Sequence, residues 1–322
     1  MSSGNVNLPL VTVGMVTYNS SKYVRHAIES VLSQSYENLE LVICDDCSTD
    51  GTWEIIKSFN DSRIRAHRNF KNLREYPNRN QVIDFALGEY LIFIDGDDIL
   101  YPHGLEYMVT MLHAFPDSAV AVCRPWNEKV LFPLEVSPIE IYSFEYLGTG
   151  IMGINFTQIL FKTKALKEVG SFDVAIKTGD THVQFKLALE NNFLVINEGN
   201  AWWRRTEGQA SEAVLKSPTG IIESTKYRLK FLQDSRCPLS PNEKMIAVNN
   251  LYGIYYRDMI RTFIKGKFLD SFKIFKAFPF SFPNLLKIFI RANFSYCNQV
   301  NAANPLTSGL SASPYYRSKK RV

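Results

Sequence analysis

No stretch of this chain stays apolar for the roughly 18 residues that a membrane-spanning helix needs, so no spanning helix is expected. The opening residues, MSSGNVNLPL, have neither the basic start nor the apolar run of a secretory leader. Cysteine is scarce: the set is Cys44, Cys47, Cys123, Cys237 and Cys297. An odd count in a long chain argues against a disulfide framework and suits a reducing cytoplasm. Cys44 and Cys47 form one C-x-x-C, but a zinc site would want a second such pair, and there is none. Cys44 also ends an apolar run, where a packed thiol is the better reading. His26, His67, His103, His113 and His182 show no ligand spacing and read as structural, with only His182 near candidate chemistry. A net charge of +4 is too small to point to nucleic acid by itself.

What is present is an ordinary globular composition, 46% hydrophobic and 21% charged over 322 residues. That length allows one large domain or two smaller ones. The first part alternates strands and helices. Leu10 to Val16 is a β-prone run, followed by a turn of N-capping residues, Thr17 to Ser21. Tyr23 to Leu32 carries apolar residues at helical spacing. Leu39 to Cys44 is a second strand, then Thr52 to Phe59 a helix and Arg63 to His67 a third strand. Pro77 suits the first turn of a helix carrying Val82, Ile83, Phe85 and Ala86. Short links between such units predict a doubly wound, mostly parallel sheet.

Tyr90 to Asp98, YLIFIDGDD, is the centre of this pattern. A buried strand runs directly into three carboxylates, and open α/β sheets bind ligands at the carboxyl ends of their strands. Carboxylates so crowded repel one another unless a cation sits between them, and oxygen ligands suit a divalent metal. The plainer alternative is an acidic loop on a solvated edge.

Beyond it, a helix follows Pro102, and Ala119 to Cys123 reads as a strand. Pro125 to Ser143 reads as irregular because of Pro125, Pro133 and Pro138. Phe156 to Phe161 reads as a strand, Ala165 to Val169 as a short helix, Thr181 to Glu190 as a helix, and Phe193 to Ile196 as a strand. From about Ile221 the chain turns helical, aromatic and basic, so the division expected is 1–220 and 221–322. Between Arg261 and Arg291, Asp270 stands alone against Arg261, Lys265, Lys267, Lys273, Lys276, Lys287 and Arg291, interleaved with phenylalanines. Such a segment either lies peripherally on an anionic membrane face or packs its phenylalanines on the main domain. The tail YYRSKKRV reads as frayed.

The ordered set VGMVTYN (13–19), AIESVLSQSY (27–36), LVICDDCSTDGT (41–52), Asn72 with Arg79-Asn80, and ALGEYLIFIDGDD (86–98) resembles the family 2 nucleotide-sugar glycosyltransferases of the GT-A fold. The likeness continues more weakly through Gly170-Ser171-Phe172, Gly179-Asp180 and Trp203-Arg204-Arg205. It covers roughly the first two thirds of the chain.

The resemblance implies a GT-A, Rossmann-like α/β fold with a helical C-terminal extension, and a role for each matching position. Thr17, Tyr18, Asn19, Asp46, Asn72, Arg79, Asp95, Gly96, Arg204 and Arg205 would bind the donor, a UDP-sugar being favoured. Asp46 would accept the N–H of the base; its structural alternative is capping the next helix, for which Ser48 and Asp50 are better placed. The structural alternative for Arg79 is a surface ion pair. Asp97, with Asp95, would hold Mn2+ or Mg2+, and Asp98 would act behind them. Asp180 would be the general base, or merely an N-cap. Trp202 and Trp203 would face the acceptor, or one may be core. The acceptor implied is a glycan or lipid-linked oligosaccharide at a cytoplasmic membrane face. Three departures stand out: Val16 where relatives have proline, Gly179 where they often have glutamate, and Thr206 where a metal-ligating histidine is expected. Two other functions fit the architecture. A sugar nucleotidyltransferase would want a glycine-rich loop where Thr17-Tyr18-Asn19-Ser20 stands, and a non-catalytic nucleotide-sugar-binding module would not need Asp180.

Overall fold

A strand buried on both faces reads as a nearly continuous apolar run, and β1 (Val11–Thr17), with only Thr12 and Thr17 polar, is buried along nearly its whole length. The computed structural model describes residues 8–125, 132–205 and 217–278. After β1 come α1 (Val24–Leu32), β2 (Leu39–Asp45), α2 (Thr52–Lys57), β3 (Ile64–Arg68), α3 (Glu75–Phe85) and β4 (Tyr90–Asp95). Next are β5 (Ile99–Leu100), α4 (Gly104–His113), β6 (Ser118–Arg124), β7 (Leu134–Val136) and α5 (Pro138–Leu147). A 3-10 turn, Phe156–Gln158, leads into β8 (Ile159–Lys162), α6 (Thr163–Glu168), α7 (Gly179–Ala188), β9 (Asn192–Asn197) and β10 (Ala201–Trp202). The last described helices are α8 (Pro218–Gln233), α9 (Pro241–Ile264) and α10 (Phe268–Ala277).

Eight strands form one sheet in the order β3-β2-β1-β4-β8-β6-β9-β7. The pairs β1–β2, β1–β4, β2–β3 and β6–β9 are parallel, whereas β8 and β7 run antiparallel to their neighbours. The sheet is therefore mostly parallel, with β8 filling the gap between β4 and β6. A separate two-stranded ribbon joins β5 to β10.

Side chains alternate across the sheet with period two. Leu91 and Phe93 of β4 enter one core with Val82, Tyr142, Phe185 and Phe231. Tyr90, Ile92 and Ile94 enter the other with Val24, Ile28, Leu105 and Met108. Helices thus cover both faces, as the strand–helix alternation predicts. Tyr227, Phe231, Leu239, Ala247 and Leu251 of the C-terminal helices and their link also join the first core.

Two local expectations are corrected. The stretch from Pro125 to Ser143 is not simply irregular: it holds β7 and the start of α5. Pro138 sits at the first helical position, where a missing N–H is no loss, and Ser137 N–H donates to Glu140 at 2.8 Å in a capping box. The start of the stretch read as a strand from Phe156 is a 3-10 turn. Pro77 does lie in the first turn of α3, as expected, with the helix starting at Glu75.

Candidate active site

The loops after β1 and β2 are stitched together by their own polar side chains. Thr17 hydroxyl donates to Asp45 at 3.0 Å, and Asn19 N–H donates to Ser48 Oγ at 2.9 Å. Asn19 Oδ1 in turn accepts from Thr49 N–H at 2.9 Å, a contact made with Asn19 in the left-handed region (φ 51°). Ser20 and Ser21 N–H donate to Thr52 Oγ1 and Asp50 Oδ2. Burial works to raise the Asp50 carboxyl, but these bonds and those from Thr52 outweigh it and hold it at about 2. Asp50, one residue before the Gly51 N-cap, accepts Thr52 N–H at 3.1 Å at the start of α2, whereas Ser48 is committed to Asp45.

Asp46 is 3% exposed and does not cap a helix. Its carboxylate accepts Leu73 N–H at 2.7 Å, Arg74 N–H at 2.9 Å and Asn69 Nδ2–H at 2.9 Å. It therefore fixes the loop before α3. Arg74 is held there at φ 74°, a strained backbone for a non-glycine residue. Asn72 Oδ1 also accepts Arg74 N–H, at 3.0 Å.

Arg79 is no surface residue: its side chain is 2% exposed. Its Nη2 donates to Asp95 Oδ1 at 2.5 Å and lies 3.4 Å from Glu75 Oε1. The guanidinium lies 4.2 Å from the centre of the Phe156 ring. Glu75 lines the cavity, with its side chain 47% exposed. Burial pushes its carboxyl above the ordinary range, with Arg79 opposing and Asp95 and Asp180 reinforcing.

The Asp-Gly-Asp-Asp turn is pinned from the far end of the chain. Asp98, 1% exposed, accepts Arg204 N–H at 2.9 Å, and Arg204 Nε donates to Asp97 O at 2.7 Å. The Arg204 guanidinium is sandwiched between Tyr23 and Trp202, 4.5 Å from each ring centre. Pairing of β5 with β10 holds the two segments side by side. Burial first, then the charge of Asp95, pushes the Asp98 carboxyl up to about 8, against the bond from Arg204. Gly96 packs so closely that a Cβ would stand 2.9 Å from Thr17 Cγ2 and 3.1 Å from Ser20 Oγ.

Asp180 is the second residue of α7 and accepts Thr181 N–H at 2.7 Å, so it does serve the helix start. Desolvation raises its carboxyl above the ordinary range, against that bond and the charge of Arg79. Gly179 has a packing reason: a Cβ there would lie 2.7 Å from the ring of Tyr76, whose hydroxyl donates to Lys177 O at 3.2 Å. His182 is structural: it packs edge-on to Tyr227 at 5.3 Å, and burial lowers it to about 4.

These residues surround one cavity of about 670 Å3 at the carboxyl ends of β1, β2 and β4. It brings together Thr17, Tyr18, Asn19, Asp46, Asn72, Arg79, Asp95, Gly96, Asp97, Asp180 and Trp203. Trp202, Arg204 and Arg205 do not line it; Trp202 stacks on Arg204, and Arg205 lies 5.5 Å from the Trp203 ring. Sequence reasoning missed Glu75, Tyr76, Asn78, Phe156 and Lys177, which also line it. Glu75 and Arg79 are four residues apart, and that i, i+4 spacing was the available signal. Thr206 and the residues to 216 lie outside the described residues.

Among the described residues no three metal-ligating side chains converge. The oxygen donors Asp95 and Asp97 nonetheless fit a hard divalent cation that completes its shell with phosphate and water. Burial first, and then the charges of Asp95 and Asp97, raise the Asp98 carboxyl behind them, and a cation held by Asp95 and Asp97 would offset the second cause.

The sequence profile of Glycosyl transferase family 2 matches residues 12–170. The Escherichia coli protein WfaP, a UDP-Glc:alpha-D-GlcNAc-diphosphoundecaprenol beta-1,3-glucosyltransferase, is 41% identical over 91 residues, 28% of this chain and 36% of WfaP. The matched stretch thus spans well under half of that relative. S. aureus TarS 1-349, crystallised with UDP-GlcNAc, superposes with a TM-score of 0.66 at 17% identity, over 96% of this chain and 92% of TarS. Mannosyltransferase PcManGT from Pyrobaculum calidifontis, in complex with GDP-Man and Mn2+, superposes with a TM-score of 0.59 at 16% identity, over 98% and 88%. The architecture is the TarS-like GT-A fold with added C-terminal helices, and with the profile match across the β1–β4 loops that build the cavity, the chain belongs to glycosyl transferase family 2.

Proposed function

We propose that this chain moves a sugar from a nucleotide-sugar, a UDP-sugar being favoured, to a hydroxyl of a glycan or lipid-linked oligosaccharide, with inversion at the anomeric carbon. The carrying observation is one cavity, at the carboxyl ends of the parallel strands, that gathers Asp46, Asp95, Asp97 and Asp180 around buried Arg79. Asp46 and Asn72 take the base, beside the wall of Thr17, Tyr18 and Asn19. Arg79 holds Asp95 toward the ribose and diphosphate. Asp97 and Asp95 would hold Mn2+ or Mg2+; when bound, that cation neutralises charge growing on the leaving diphosphate. Arg204 fixes the Asp97–Asp98 turn, and Arg205, which does not line the cavity, lies against the Trp203 ring. Trp203, which lines the cavity, offers an apolar face to the acceptor, while Trp202 stacks on Arg204.

Asp180 takes the proton of the acceptor hydroxyl as that oxygen bonds to the anomeric carbon. The bond from that carbon to the diphosphate oxygen breaks, and its electron pair leaves with the diphosphate. The upward shift of Asp180 suits this role, because a base works best when its pKa approaches the working pH. UDP-GlcNAc in TarS and Mn2+ in PcManGT support the donor and the cation, and the diphosphoundecaprenol substrate of WfaP supports a lipid-linked acceptor in surface-polysaccharide synthesis.

The test is a melting-temperature screen of UDP-, GDP- and dTDP-sugars with Mn2+ or Mg2+, followed by transfer of labelled sugar to GlcNAc-diphosphoundecaprenol. A UDP-sugar should raise the midpoint and label the lipid. No shift and no transfer with any donor would overturn the proposal.

A further inference from the structure

A glycine in the left-handed region, Gly266 (φ +75°), turns the chain between α9 and α10. Around that turn the chain exposes what a soluble surface ordinarily hides. Phe263 is 55% exposed, Ile264 76%, Phe268 59%, Leu269 79% and Phe272 63%. The rings of Phe263 and Phe268 stand 4.9 Å apart, so these are neighbours across the turn rather than scattered residues. A contiguous apolar patch on a surface marks an interaction site.

The other side of α10 is already committed. Ser271 and Ile274 are buried, Ser271 Oγ donates to Met259 O at 3.1 Å, Tyr255 hydroxyl donates to Ile274 O, and Phe278 packs 5.1 Å from Tyr255. Phe263, Phe268 and Phe272 therefore stand exposed, whereas Phe275 and Phe278 are half-buried, Phe278 against Tyr255. Phe280, Phe282, Phe289, Lys287 and Arg291 lie outside the described residues.

Charge singles out the same corner. From Arg261 to Ala277 the chain carries Arg261, Lys265, Lys267, Lys273 and Lys276 against Asp270 alone. That excess equals the net +4 of the whole chain, so the remainder balances to zero. Asp270 lies 3.4 Å from Lys273 and Asp258 3.4 Å from Arg261, which leaves Lys265, Lys267 and Lys276 without an acidic partner among the described residues.

We propose that the α9–α10 corner docks on an anionic lipid surface. Ile264, Leu269 and Phe272 enter the headgroup–acyl boundary while the surrounding lysines meet lipid phosphates. A second copy of this chain fits poorly, because a two-fold contact would set one basic rim against another. A nucleic acid fits poorly too: a base could stack on an exposed phenylalanine, but Leu269 and Ile264, the most exposed side chains, would be left without an apolar partner. The inference does not rest on the transfer reaction. It does supply that reaction with a reason to find a lipid-borne acceptor.

The experiment is co-sedimentation of the full chain with phosphatidylcholine vesicles, with and without phosphatidylglycerol, and no donor present. Two triple variants are compared: Ile264→Gln/Leu269→Gln/Phe272→Gln and Lys265→Gln/Lys267→Gln/Lys276→Gln. The unaltered chain should favour the anionic vesicles by about tenfold, and each triple variant should lose about tenfold in partition. Both variants should keep the circular dichroism and melting midpoint of the parent, since all six side chains are exposed. Equal partition of parent and variants, or equal binding to neutral and anionic vesicles, would overturn the proposal. So would a change in sedimentation coefficient without a change in vesicle binding, which would assign the patch to self-association. Transfer to a soluble acceptor is read separately, so failure of one reading leaves the other intact.

Discussion

Arg79 and Asp95 form an asymmetric pair: their contact is 2.5 Å, yet Arg79 is 2% exposed and Asp95 40%. Removing Asp95 leaves a buried cation with only Glu75 at 3.4 Å beside it. Asp95→Ala should therefore cost about 3 kcal/mol of stability in addition to activity. Asp97→Ala keeps the backbone oxygen that accepts from Arg204 Nε and should cost less, under about 1 kcal/mol. Urea unfolding of the two variants measures the difference. Equal losses would remove Arg79 from this role.

Asp180→Asn separates function from stability. The folded state holds this carboxyl above its ordinary range, so its contribution to stability is present at low pH and lost as pH rises through the folded value. Removing the charge should raise the melting midpoint at neutral and alkaline pH, with the gain vanishing below about pH 4. Transfer should fall by about a hundredfold or more. In the parent enzyme, the acidic limb of the rate profile should lie above the ordinary carboxylate range.

Gly179→Ala should destabilise by about 2 kcal/mol, because the new methyl overlaps a Tyr76 ring that is only 7% exposed and cannot swing away. Tyr76→Leu should relieve much of that penalty. A double-mutant cycle by chemical unfolding reads the coupling, and additive penalties would contradict the contact.

Arg204→Lys keeps the charge but loses the flat guanidinium between Tyr23 and Trp202. The Asp97–Asp98 turn should loosen, with kcat/KM down about tenfold, or about 1.4 kcal/mol. The melting midpoint should barely move, and donor titration kinetics with melting curves check both.

Much of this site was readable as strand ends. Asp46, Asp95 and Asp97 follow directly from apolar runs whose burial could be read from composition, and period-two alternation then sets both cores. What was hidden depends on contacts made across the chain. Nothing local says that Asp46 will collect the N–H groups of residues 73 and 74, or that residue 204 will close over residues 97 and 98. Glu75 sat four residues from Arg79 on a helix whose first turn was marked by Pro77 alone. Ser137-Pro138 and Glu140 spelled out a helix start, but three prolines in one stretch masked it. Gly179 looked like a lost carboxylate until the ring of Tyr76 gave it a packing reason.

The central claim is that the cavity holds a nucleotide diphosphate-sugar through the Asp95–Asp97 turn. Calorimetric titration of UDP-GlcNAc and UDP-Glc with Mn2+ into the parent chain and into Asp97→Ala tests it most directly. Saturable binding to the parent that depends on Mn2+ and drops at least about tenfold in the variant is predicted. Equal binding by both proteins, or none by either, would contradict the account.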